Sequence, residues 1–442
     1  MEIEMIVPIL MFVGVLLGVF SGYPIAFVLG SLALIFGFIF TGANILPALF
    51  LITFKVIKGY EYAAVPLFVF MAIILERAGL ADRLFYAAYR LFGGLKGGLA
   101  IGTIVISTMF AACTGIVGAT VTTMGLLALP AMLNRGYDKA LATGVVLAGG
   151  TLGLLIPPSI AIVIYAPMAN ISVARLFFGC FFPGFILSAV FTCYIIVRCI
   201  LQPRMGPAMP KEEREAIPAH KLFTLILTGM VPVLCLIMAV LGMIFLGVAT
   251  PTEASATGAL AATLLGMAYH KFNWPNLKYA TYQTLRITSM VMLVVVGASM
   301  FTSTFMTLGG GKLIRDFLLG LPFGPLGITL MVMFIIFILG MFIDYFAIIL
   351  LSAPLFTPIA VELGLDPIWF SALVIMNLQM ANLTPPFAYS IFYLRGVTPP
   401  EVTMNDIYRG VYPFVVLQWI GLLIVLRFPQ ISLWLPSKMF GR

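Results

Sequence analysis

Two proline pairs mark where this chain could do chemistry. Pro157-Pro158 and Pro385-Pro386 each interrupt an apolar stretch long enough to lie in a bilayer. Proline has no N–H and crowds the preceding turn, so it ends a helix and leaves carbonyls without partners. Gly149, Gly150, Thr151 and Gly153 precede the first pair, and Ser159 follows it. Asn377, Gln379, Asn382 and Thr384 precede the second. Two longer apolar stretches, 97–134 and 323–361, break near their middles. The first breaks at 113–118, with Thr114 and Gly115 and with Thr120, Thr122 and Thr123 just after. The second breaks at 340–344 and ends on Asp344. Exposed carbonyls, hydroxyls and a carboxylate suit a small hard cation, and the free N–H groups of a half-helix suit an anion.

The scarcity of charge narrows this further. Residues 97–134, 140–174 and 317–394 contain no Lys or Arg. An anion bound there must be held by helix ends, hydroxyls, amides and bound cations. A proton relay would need several Asp, Glu or His along a path. The two histidines, His220 and His270, fall at segment ends, so sodium is the expected coupling ion. Each residue also has a plainer role. Threonines in membrane helices bond their own i−4 carbonyls, glycines let helices pack closely, and Glu253 after Thr250-Pro251-Thr252 suits a helix N-terminus. Amides are different: three amides and a threonine within eight residues of a lipid span are costly unless they face a cavity.

The elements that carry these residues are membrane helices. The 442 residues are 62% hydrophobic and 9% charged, against about 25% charged in a soluble domain. That composition excludes a soluble enzyme, a nucleic-acid binder or a disordered scaffold. The long unalternating apolar runs exclude a β-barrel. The five cysteines lie in apolar segments without metal-ligand spacing. The expected organisation is scaffold helices at 1–78, an amphipathic arm at 79–96, and a hairpin with a broken helix at 97–169. A scaffold helix at 170–201 leads to a polar cytoplasmic linker at 202–221. The second half repeats the plan: scaffold at 222–306, arm at 307–322, hairpin and broken helix at 323–395, and a scaffold helix with tail at 396–442. The basic residues Arg77, Arg83, Arg90, Lys96, Lys278 and Arg286 are placed inside the cell, which puts the N-terminus outside.

The halves align without a gap at an offset of 228. Gly136/Gly364, Asp138/Asp366, both proline pairs and Tyr165/Tyr393 coincide. The span count sends the first hairpin in from the cytoplasm and the second from outside. The expected fold is therefore an all-α polytopic membrane protein with an inverted-topology repeat, two re-entrant hairpins and two Pro-Pro-broken helices. Paired broken helices at matching positions point to a transporter's binding site. No ATP-binding glycine loop is present: Gly311-Lys312 is followed by Leu313. No enzyme activity, nucleic acid or ATP is expected.

The sequence resembles the large membrane subunit of tripartite ATP-independent periplasmic transporters over nearly its whole length. The marks are 22–27, 66–70, 136–138, 150–159, 250–254, 340–344, and Asn377-Leu378-Gln379 leading to Thr384-Pro385-Pro386. The resemblance implies an elevator-type symporter in a bacterial inner membrane. It also implies a small four-helix membrane subunit, a periplasmic substrate-binding protein, sodium, and a small carboxylate or sulfonate. Two positions depart from the family pattern. The first hairpin tip reads Thr114-Gly115-Ile116-Val117 where the family often has Ser-Gly-Ser-Ser, and Gln379 stands where the family often has Glu. Residue chemistry and resemblance together place sodium at Thr114, Gly115, Gly118, Gly149, Gly150, Gly153, Gly340, Asp344, Gln379 and Thr384. They place solute at Ile116, Thr120, Thr151, Pro157, Ser159, Asn377, Asn382 and Pro385. A stand-alone dicarboxylate or citrate-type carrier is the neighbouring reading, and a non-transporting membrane scaffold the more distant one.

Overall fold

The computed structural model describes residues 2–210, 219–386 and 388–441. Residues 211–218 of the expected linker lie outside them. The described residues form helices and no strand. Six stretches are long and apolar enough to cross a membrane by themselves. The helices are α1 (Glu2–Phe20), α2 (Ile25–Thr41), α3 (Ile45–Ile57), α4 (Ala64–Arg77) and α5 (Leu80–Phe92). The first hairpin is α6 (Gly98–Thr114) with α7 (Val117–Leu133). The first broken helix is α8 (Lys139–Thr151) with α9 (Ile160–Met168), and α10 (Val173–Leu201) follows. The second half runs α11 (Ala219–Phe245), α12 (Pro251–Ala268), α13 (Trp274–Thr307) and α14 (Gly310–Leu319). The second hairpin is α15 (Pro325–Gly340) with α16 (Tyr345–Glu362). The second broken helix is α17 (Pro367–Ala381) with α18 (Tyr389–Arg395), followed by α19 (Met404–Arg427) and α20 (Gln430–Phe440).

Local chemistry fixes the ends of these elements, and it does so alike in the two halves. Gly136 and Gly364 both sit at φ +75°, a left-handed turn that glycine enters without steric penalty. Two residues on, Asp138 caps α8 by accepting the Leu141 N–H at 2.9 Å, and Asp366 caps α17 by accepting the Ile368 N–H at 2.8 Å. Such a cap is worth about 1 kcal/mol. Both proline pairs contain a cis bond. Thr250 and Glu253 form a reciprocal capping box at the start of α12, which gives Glu253 the helix-terminus role. The arms α5 and α14 are amphipathic, and Arg315 of α14 pairs with Glu362 at the end of α16.

The helices pack in two groups, or bodies, which also touch each other where α6 meets α4, α5 and α11 and where α16 meets α13. In one, α13 runs beside α2 and α4, α12 packs on α4, and α11 packs on α5 and α12. In the other, α8 packs on α6 and α7, and α17 packs on α15 and α16. The second halves of the broken helices cross over. The short α9 packs on α16 of the other repeat, where the Tyr165 hydroxyl lies 3.0 Å from the Thr357 hydroxyl. Its counterpart α18 packs on α7 of the first hairpin. Helices α10 and α19, expected among the scaffold, pack on α6, α9 and α17 and on α8 and α17 respectively. The α8–α19 contact is backbone to backbone. A Cβ on Gly144 would lie 2.2 Å from the Gly410 carbonyl oxygen, a separation that two small residues permit and larger ones prevent. The start of the linker is also anchored. Gly97 donates to the Gly206 carbonyl at 2.8 Å and Asp138 to the Met205 carbonyl at 3.0 Å, so 203–206 is tied to the starts of α6 and α8.

Candidate functional site

The two hairpin tips meet at one cavity of about 620 Å³, together with Ile160 at the start of α9 and Tyr389 at the start of α18. On one wall stand Ile116, Gly118 and Thr122 of the first hairpin, Asp344, Tyr345 and Phe346 of the second, and Tyr389 and Tyr393 of α18. The opposite wall belongs to the other body: Pro24 to Ala26 at the start of α2, Ile73 and Glu76 of α4, and α13 from Tyr279 to Val294, including Gln283.

The first tip is built around Gly115. It takes φ +58° and donates to the Ala111 carbonyl at 3.0 Å, closing α6. A Cβ at this position would sit 3.0 Å from the Pro158 carbonyl oxygen and 3.2 Å from the Ile160 nitrogen. The tip is thus seated on the break of the first broken helix. Thr114 donates to the Phe110 carbonyl at 3.0 Å and lies 3.0 Å from the Thr120 hydroxyl. Thr120 in turn bonds the Ile116 carbonyl. The next turn lets the second repeat approach: a Cβ on Gly118 would meet the Tyr393 ring at 3.2 Å.

At the second tip Asp344 is the N-cap of α16 and accepts the Phe346 N–H at 3.0 Å. Gly340 faces the second break, where its Cβ would lie 2.3 Å from that of Ala381. Behind it lies a buried polar run. Asn377 donates from Nδ2 to the Met333 carbonyl, while its Oδ1 finds no protein partner. Both side-chain polar atoms of Gln379 and of Asn382, and the Ser390 hydroxyl, are also buried without a protein partner. Each such group costs roughly 1–3 kcal/mol unless something binds it. Thr384 bonds its own i−4 carbonyl, Met380, at 2.9 Å.

The structure therefore divides the residues singled out in the sequence. Ile116, Gly118 and Asp344 line the cavity. Thr114, Gly115, Thr120, Pro157 and Ser159 surround the contact between the first tip and the first break. Ser159 is fully buried and donates to the Leu154 carbonyl at 2.7 Å. Thr151 bonds the Ala148 carbonyl. Gly149 and Gly150 serve close packing, with Cβ positions 2.7 Å from Ser107 and 2.4 Å from Val121, and Gly153 faces Ala111 and Gly115. Gly340, Asn377, Gln379, Asn382, Thr384 and Pro385 belong to the second break and its surroundings. Sequence reasoning missed the opposite wall: Glu76, Tyr279 and Gln283. It also missed Tyr345, Tyr389 and Tyr393 as wall residues, although Tyr165 and Tyr393 had already aligned between the repeats.

The family model of the tripartite ATP-independent periplasmic transporter, DctM component, matches residues 10–431. The C4-dicarboxylate TRAP transporter large permease protein DctM of Vibrio cholerae serotype O1 is 29% identical, over 98% of each chain. The sialic acid TRAP transporter large permease protein SiaM of the same organism is 30% identical, over 96% of each. Among solved structures, the YdaH transporter of Alcanivorax borkumensis matches with a TM-score of 0.62 over 90% of each chain, at 16% identity, a likeness of fold. A multi-pass chain with two hairpins, two proline-broken helices and a family match from residue 10 to residue 431 belongs to the tripartite ATP-independent periplasmic transporters, as a large (M) membrane subunit.

Proposed function

We propose that this subunit carries a small organic acid across the bacterial inner membrane, driven by sodium, by moving one of its two bodies against the other. Large subunits of this family work with a periplasmic binding protein and a small membrane subunit. Relatives named for C4-dicarboxylates and sialic acid support an organic acid as solute. The observation that carries the proposal is the cavity itself: both hairpin tips and the starts of α9 and α18 face a wall made by α2, α4 and α13. The moving body is α6–α10 with α15–α19. The fixed wall is α2, α4 and α13. Sodium fits the oxygen-rich groups at the tips and the second break: the Asp344 carboxylate and the paired Thr114 and Thr120 hydroxyls at the tips, and the Gln379 and Asn382 amides at the break.

The cavity lies along the N-terminal half of α13. Tyr279, one of its wall residues, carries Arg77 stacked 3.7 Å from its ring centre, and Lys278 and Arg286 flank it in sequence. The positive-inside rule makes this the cytoplasmic side and the conformation inward-open. Further along α13 the bodies touch: Ser299 Oγ lies 4.0 Å from Met168 Sδ on α9.

The test uses proteoliposomes containing the chain and both partner subunits. Inward sodium gradients should drive uptake, and potassium gradients should not. In a background without native cysteines, Met168→Cys with Ser299→Cys should be bridged by mercuric ion. The bridge should stop uptake, a reducing thiol should restore it, and the single variants should be insensitive. Transport by the bridged protein at the unbridged rate would refute the moving-body mechanism. Uptake equal in sodium and potassium would refute the coupling.

A further inference from the structure

We infer that the solute carried in this cavity bears a cationic group as well as its acid group, as a betaine does, rather than two acid groups. The inference rests on the proposed function above and sharpens its solute class. The lining residues include two carboxylates, Glu76 and Asp344, and no Lys, Arg or His. Arg77, Lys278 and Arg286 neighbour lining residues in sequence, but none of the three is part of the lining, and the Arg77 guanidinium is stacked on Tyr279. A plain di-acid would therefore bring two negative charges towards two more. A sodium ion at Asp344 would offset one of them and leave Glu76 opposing the rest.

The remaining lining favours a cation. Tyr345, Tyr389 and Tyr393 all stand within electrostatic reach of Asp344 and share its wall. Tyrosine faces carry negative quadrupole density and attract ammonium groups within about 6 Å. Glu76, half-buried, lines the same cavity from the opposite wall. A trimethylammonium group has no N–H donors and can sit there without hydrogen-bonding demands. Its acid end is left to the helix ends and bound sodium at the tips.

The experiment compares shape-matched probes that differ in charge. Glycine betaine is paired with 3,3-dimethylbutanoate, its uncharged-carbon isostere, and succinate serves as the plain di-acid. The purified complex of large and small membrane subunits is melted with each probe in sodium and in potassium, so the binding protein's own selectivity does not enter. Uptake by the full three-component system is measured alongside. Glycine betaine should raise the melting temperature in sodium, with at least tenfold better apparent affinity than either acid. Tyr393→Leu and Glu76→Gln should each weaken that affinity at least fivefold. Tyr412→Leu, on the exposed face of α19, should not. If succinate or 3,3-dimethylbutanoate binds as well as the betaine, or if both variants bind it as wild type does, the zwitterion inference falls and the transport reading stands. If no organic acid of either kind shows sodium-dependent binding or uptake, both fall together.

Discussion

Gly115→Val is expected to abolish sodium-driven uptake while the subunit still assembles in the membrane. Two effects add at this position. At φ +58° a residue with a Cβ pays roughly 1–2 kcal/mol, and a β-branched one pays more. The larger effect is the neighbour. The new Cβ would stand 3.0 Å from the Pro158 carbonyl oxygen and 3.2 Å from the Ile160 nitrogen, both backbone atoms that cannot rotate aside. Two further methyl carbons must then push the hairpin tip off the break. Gly115→Ala should retain partial uptake, down on the order of tenfold (about 1.4 kcal/mol), and Gly115→Val none above background. Gly22 separates strain from contact: it takes φ +80° with nothing within 4 Å of its Cβ position. Gly22→Val should therefore cost stability without a comparable loss of uptake. Detergent-solubilised elution profiles and melting curves establish assembly. A Gly115→Val protein that transports at the wild-type rate would refute the seating of the tip on the break.

Asp344→Asn has the second large effect and the cleaner interpretation. The Asp344 side chain caps α16 through the Phe346 N–H, and asparagine caps a helix as well as aspartate does. The substitution thus leaves the local fold intact and removes only the charge. A unit charge 4 Å from a cation is worth about 4 kcal/mol at an effective dielectric of 20, so the apparent sodium affinity should fall by two to three orders of magnitude. Melting in the absence of sodium should stay near wild type, and the sodium-induced rise in melting temperature should vanish. Asp366→Asn is the matched control, since Asp366 also caps a helix, α17, and does not line the cavity. It should leave sodium dependence alone. Wild-type sodium dependence in Asp344→Asn would remove Asp344 from the ion site.

The family pattern and the repeat were legible because their signals are local. A proline pair breaks a helix wherever it falls, and a glycine followed by a capping aspartate starts one. Gly136/Gly364 and Asp138/Asp366 coincide in the repeat alignment, and the structure adds that each aspartate caps a helix. The amphipathic arms expected at 79–96 and 307–322 contain α5 and α14. Sites that rest on residue type alone fared less evenly. Gly149 and Gly150 share their composition with cation sites and with close-packed helices, and only the 2.4 Å approach of Val121 to the Gly150 Cβ position shows the packing role. Ser159, expected to meet a solute, donates its hydroxyl proton to the Leu154 carbonyl, five residues back in the same break.

Composition and local residue order already set the chain in a membrane, locate its helix breaks, and keep basic side chains away from those breaks. Those features follow from residue composition and from backbone geometry over a few residues. Only the tertiary structure decided which broken half meets which hairpin, that α18 packs on the first hairpin and α9 on the second, and that Glu76, Tyr279 and Gln283 face the tips. These pairings join residues up to nearly 300 positions apart in sequence. They are set by which small residues let backbones approach, a property of two surfaces together that no single segment carries.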